Sequence, residues 1–234
     1  MNAPLHSRLN IEFLLAFVAG FVEAVCVTGL FSTFVTFITG TMVFMVVEFA
    51  EGTPGFYLKV FVLLTFLGFS LLWIHLIRRL NEKIPNTAFV MLLVECLLLF
   101  LMFVAGLVMG KQAIAFAPGT FVLSFLAVGA MSLHSTIFFR LLNKKAPTHF
   151  MTGNTTNMIH AALEMVDAWS GKEGSPAPAN PDAAAKARYY LVVILSFLAG
   201  VIFGTYGYLL AGFASLGVPV AVLAFSAFVN YRSG

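Results

Sequence analysis

Eight apolar stretches, at residues 11–31, 33–50, 56–77, 88–109, 118–139, 148–166, 189–212 and 214–231, cover most of this 234-residue chain. Several exceed the roughly 18 residues that mark a membrane-spanning helix. Composition agrees: 60% of residues are hydrophobic and 10% charged, against about a quarter charged in soluble domains. The reading is an all-α, polytopic integral membrane protein. The N-terminus before the first stretch is short and polar, with His6 and Arg8, and no small-x-small cleavage site follows. The first stretch is therefore expected to stay as a helix.

The basic residues decide how many stretches cross. Eight full spans would place Arg78, Arg79, Lys83, Arg140, Lys144 and Lys145 outside, dividing the 13 Lys and Arg 7 to 6. If 33–50 and 148–166 each enter and leave on one face, six spans remain and the division changes. Arg8, Arg78, Arg79, Lys83, Arg140, Lys144, Lys145, Lys172, Lys186, Arg188 and Arg232 then fall inside, with only Lys59 and Lys111 outside. An excess of basic residues on the cytoplasmic side is the usual bias. Six spans, two re-entrant segments and cytoplasmic termini follow, with eight spans as the alternative. The polar stretch 167–188, rich in Pro, Gly, Ser and Ala, is expected to be a flexible cytoplasmic loop.

Three spans per half oblige the halves, 1–112 and 113–234, to be oppositely oriented, as in the 3+3 inverted repeats of many transporters. A duplicated motif supports the repeat: Phe37-Ile38-Thr39-Gly40-Thr41-Met42 is echoed by Phe150-Met151-Thr152-Gly153-Asn154-Thr155. Ala19-Gly20-Phe21-Val22-Glu23-Ala24 aligns with Met131-Ser132-Leu133-His134-Ser135-Thr136, and Phe66-Leu67-Gly68 aligns loosely with Leu198-Ala199-Gly200.

A helix over residues 39–50 would rise about 18 Å, a little over half the hydrocarbon core. Two such half-helices would begin near the midplane and run to opposite surfaces. Their N-termini carry unpaired N–H groups and partial positive charge, which suits an anion or a polar carbonyl. Thr and Asn cap such termini, and Gly admits close approach. The competing reading is that Thr-Gly is only a notch for helix packing.

The chain resembles the YoaK family of bacterial inner-membrane proteins, a family of unknown function. Ala19 to Ala24, Thr39-Gly40 followed by Glu51-Gly52, and Ala130-Met131 with Met151-Thr152-Gly153-Asn154 carry the likeness, which spans residues 14–210. It implies a multi-pass protein of the bacterial inner membrane and supplies no activity. The family pattern has Asp in place of Glu23, Asn in place of Thr41 and Gln in place of His134.

Intramembrane ionisable groups are functional candidates. Glu23 shares a face with Ala16, Ala19 and Gly20, directed at other helices. Glu95 is expected to be protonated or paired across helices, and Glu48 to be interfacial. His134, His149 and His160 are spaced 15 and 11 apart, which fits no zinc pattern. No metal or other cofactor is expected. Cys26 and Cys96 lie in apolar runs and read as small hydrophobes. Arg140 reads as a topology anchor, and the absence of a basic stripe interleaved with aromatics argues against nucleic acid.

The leading functional expectation is a transporter or channel-like carrier of a small anion or small polar solute. The solute would be held at mid-membrane by Thr39, Gly40, Thr41, Thr152, Gly153 and Asn154, with Glu23 and His134 nearby. The expected partners are the lipid bilayer and a small solute; homo-oligomerisation stays open. The alternatives are a non-catalytic membrane subunit or scaffold, and an intramembrane enzyme using Glu or His as acid or base.

Overall fold

The computed structural model describes residues 5–110, 117–141, 150–170 and 182–233, with side chains described for 11–110, 117–141, 150–167 and 182–231. Lys111, Lys144, Lys145, His149 and Lys172, and the side chains of His6, Arg8 and Arg232, lie outside that description.

All regular structure among the described residues is helical: α1 (Leu5–Gly29), α2 (Ile38–Glu51), α3 (Gly55–Asn81), α4 (Thr87–Met109), α5 (Pro118–Arg140), α6 (Met151–Ser170), α7 (Ala183–Ala211) and α8 (Gly217–Ser233), the last two joined by a 3₁₀ turn, Gly212–Leu216. Five stretches are long and apolar enough to cross a membrane: Ile11–Gly29, Gly55–Asn81, Thr87–Met109, Pro118–Arg140 and the 49-residue Ala183–Tyr231, which holds α7, the 3₁₀ turn and α8. Neither α2 nor α6 is among them.

The stretch predicted over 33–50 is not one helix. Residues 30–37 are irregular and α2 begins at Ile38. Phe31 and Ser32 turn the chain with φ of 54° and 53°, a left-handed conformation that β-carbon sterics disfavour. Neighbouring groups hold it: Ser32 N–H donates to Val27 O, and Lys59 Nζ donates to Phe31 O at 2.8 Å. At its other end α2 stops on Gly52, with φ 66°, whose N–H donates to Phe49 O while Thr53 N–H donates to Glu48 O. A residue without Cβ suits that left-handed cap. The loop expected over 167–188 is shorter than predicted, because α6 continues to Ser170 and α7 already begins at Ala183. The run Ala183-Ala184-Ala185 is a strong helix former.

Burial singles out two helices. Within the spanning windows, 72% of α1 and 78% of α5 is buried, against 17% of α3 and 28% of α4. α1 and α5 therefore form the centre. α1 packs on α7 and α8, α5 on α3 and α4, α4 on α8, α2 on α3, and α6 on α7.

α1 and α7 run parallel with their backbones nearly touching. A Cβ on Gly20 would strike the Phe197 carbonyl, one on Gly200 the Phe17 carbonyl, and one on Gly204 the backbone of Phe21. Small residues permit this approach where no hydrophobic force draws helices together. At one end of the pair, the Tyr189 hydroxyl donates to Glu12. α3 and α5 are also parallel but are filled by large rings. Phe69 stacks on Trp73 with centroids 5.6 Å apart, and Trp73 Nε1 donates to Gly129 O at 3.0 Å and to Ser132 Oγ at 3.2 Å. α4 runs antiparallel to α8, with Phe89 on Tyr231 and Gly106 under Phe213.

Candidate functional site

Glu23 sits in the buried middle of α1 and reaches into the irregular segment before α2. Its Oε2 accepts the Thr36 N–H at 2.9 Å and the Thr36 hydroxyl; its Oε1 accepts the Phe37 N–H at 3.4 Å. The carboxyl thus ties down the residues that lead into the first Thr-Gly. Thr41 completes the anchorage one turn into α2. Its Oγ1 accepts from Phe34 N–H at 3.1 Å and donates to Phe34 O at 2.6 Å. Both backbone groups of Phe34 are thus satisfied by one side chain. A Cβ on Gly40 would lie 3.0 Å from the Phe34 ring, so Gly40 makes room for that ring.

The N-terminus of α2 has no side-chain cap. It opens on a cavity of about 760 Å³, within the range typical of small-ligand sites. Thr36, Phe37, Ile38 and Thr39 form one wall, and Phe150, Met151 and Thr152, at the start of α6, form another. Phe66, Ser70 and Ile74 of α3, and Ser132, Ser135, Thr136, Phe139 and Arg140 of α5, complete the lining of this half-open cavity. The two Thr-Gly helix starts, 113 residues apart in sequence (152 − 39), therefore face one space.

The hydroxyls around this space differ in their commitments. Ser135 and Thr136 donate to the carbonyls of Met131 and Ser132, and Ser132 donates to Gly129 O. Thr39, Ser70 and Thr152, from three separate helices, make no side-chain hydrogen bond to any described residue. Arg140 adds a cation at the exposed rim, beside Phe139 and Phe150, which are 53% and 57% exposed. The described lining contains no carboxylate, imidazole or thiol. The combination of two helix N-termini, three available hydroxyls and one guanidinium presents donors and positive potential to a solute.

Of the residues expected at the site, Thr39 and Thr152 line the cavity. Gly40 and Thr41 pack against Phe34, and Glu23 supports the wall from behind. Gly153 faces open space, where an added Cβ would meet nothing within 4 Å, and Asn154 is buried. His134 points away from the cavity, toward α4. Its Nδ1 lies 2.7 Å from Glu95 Oε1, and the two residues are 2% and 0% exposed. Glu95 is thus paired across helices. Glu48 meets the buried Lys59 at 2.5 Å. His75 and His160 are exposed, and no group of three potential metal ligands occurs among the described residues.

Sequence reasoning missed Ser70 and Arg140. The signal for Arg140 was present: Ser132, Ser135, Thr136, Phe139 and Arg140 recur at the three- and four-residue spacing of one helix face.

No curated protein and no solved structure matches the chain. A family model described as "protein of unknown function (DUF1275)" matches residues 11–229, nearly the whole chain, and the chain belongs to that family.

Proposed function

We propose that this protein is a membrane carrier or channel-like transporter of a small anion or small polar solute, bound in the cavity between the starts of α2 and α6. The observation that carries the reading is the convergence of Thr39 and Thr152 on that cavity. α2 and α6 are the half-helices of the carrier, and the six spans are α1, α3, α4, α5, α7 and α8.

The packing supports an inverted repeat. Exchanging α1–α4 with α5–α8 turns the α1–α7 pair into α5–α3, α2–α3 into α6–α7, and α4–α5 into α8–α1, and leaves α4–α8 unchanged; all these pairs occur. Both α1–α7 and α3–α5 are parallel. Such repeats bind solute at their interface, commonly between broken helices.

Each helix terminus contributes at most ~2 kcal/mol to a partly buried anion, a contribution modest enough for a solute to leave again. The scaffold reading would lead one to expect apolar packing with no cavity around both Thr-Gly copies, whereas Thr39 and Thr152 line a cavity among the described residues.

The test is binding and flux in proteoliposomes across formate, acetate, nitrate, chloride, phosphate and neutral polyols. One small anion or polar solute is expected to bind, and Thr39→Val and Thr152→Val should each weaken it about fivefold, the worth of one hydrogen bond. Folded protein that moves none of the panel, or variants that bind as well as the parent, would overturn the reading.

A further inference from the structure

α6 has three distinct faces. Asn154, Met158 and Ala161, at helical spacing, form a packed edge in which Asn154 and Ala161 are 1% and 4% exposed. α7 is the described helix that packs on α6. Ile159, Leu163 and Val166 form an exposed apolar face. Between them lies a row that begins at the cavity: Thr152, Thr156, His160 and Glu164, flanked by Asn157, all exposed.

The row cannot be matched to lipid. Thr155 and Thr156 return their hydroxyl protons to the carbonyls four residues back, at 2.8 and 3.0 Å, and would tolerate hydrocarbon. Asn157 and His160 make no side-chain hydrogen bond to a described residue. From Thr152 to His160 the helix rises about 12 Å, less than the ~15 Å half-thickness of the hydrocarbon core. On the half-helix reading, in which α6 starts at mid-membrane, Asn157 and His160 lie within the bilayer. Polar side chains at that depth face the protein interior or a water-filled cavity. α2 makes the opposite choice: after Thr39 its matching row is Val43 and Val47, both exposed.

We infer that the polar row of α6, from Thr152 through Asn157 and His160 to Glu164, is the wall of an aqueous path joining the cavity to the side of the membrane at which α6 ends. The path rests on the carrier reading for its purpose, since it is the route by which a solvated solute reaches Thr152. It makes the present conformation open on the α6 side and closed on the α2 side, where the corresponding row is apolar.

Single cysteines at 156, 157, 159, 160 and 166, introduced after replacing Cys26 and Cys96 with Ala, test the path with a membrane-impermeant charged thiol reagent. Labelling is followed in right-side-out and inside-out vesicles, on variants that elute as folded protein. Asn157→Cys and His160→Cys should label from the α6 side only. Ile159→Cys and Val166→Cys should label at least about tenfold more slowly, because a thiol facing hydrocarbon ionises poorly. Thr156→Cys, which keeps residue size, repeats the measurement if the larger replacements do not fold. Equal, slow labelling at all five positions would overturn the path. So would protection of 157 and 160 together with disulfide-linked dimers, which would show a second copy covering the face. No solute is needed, so this result stands apart from failure to find a transported species.

Discussion

Glu23 shows how a residue can serve a site without touching it. Its carboxyl receives three donors from Thr36 and Phe37, and those residues form part of the cavity wall. Glu23→Ala is expected to destabilise the protein by about 1–3 kcal/mol for each buried donor left without a partner. Glu23→Gln, which keeps one acceptor oxygen, should lose less. Thermal unfolding in detergent checks the order; an Ala variant as stable as the parent would contradict it. The Glu95–His134 pair makes a separate prediction. Either residue changed to Ala strands a buried polar partner, so each single variant should be less stable by roughly 1–3 kcal/mol. The double variant should cost less than the sum of the two. Strict additivity in that cycle would mean the two side chains do not interact.

At the scale of elements, the two interfaces around the central helices solve one problem differently. α1 meets α7 through Gly20, Gly200 and Gly204, whereas α5 meets α3 through Phe69 and Trp73. Gly200→Leu should therefore prevent α1–α7 docking and sharply lower the yield of folded protein. Gly68→Leu, where a Cβ meets nothing within 4 Å, should be tolerated; comparison by size-exclusion profile decides. Lys59 ties together three elements, since it bonds Phe31 O in the turn after α1 and Glu48 near the end of α2 from its own place on α3. Lys59→Met leaves the part-buried Glu48 carboxylate unpaired, which should cost about 1–3 kcal/mol. A melting temperature unchanged by that substitution would show the clamp to be idle.

For the whole molecule, the packing pattern predicts an orientation. Reporter fusions in the turn at residues 82–86 and at the C-terminus should report the same side, and a fusion at residues 52–54 the opposite side. Eight full spans would instead put the 82–86 turn and the C-terminus on opposite sides. The proposed repeat also accounts for why the Thr-Gly copies differ in detail. Gly40 is occupied by the Phe34 ring while Gly153 is open, so the two halves share a plan and not a surface.

Sequence by itself determined the membrane class and most helix boundaries, and offered a break at the first Thr-Gly as one of two readings. Long apolar runs and basic flanks are local signals, and each is strong enough to be read without its neighbours. The pairing of the Thr-Gly copies was visible as a repetition, but their meeting at one cavity was decided by tertiary structure, because it depends on α2 packing on α3 and α6 packing on α7 so that both helix starts reach its walls. The same is true of His134 and Glu95, which lie 39 residues apart in sequence and find each other only when α4 packs on α5. Arg140 looked like a topology marker because its charge is a local fact; its place at the cavity rim follows from which face of α5 the fold leaves open.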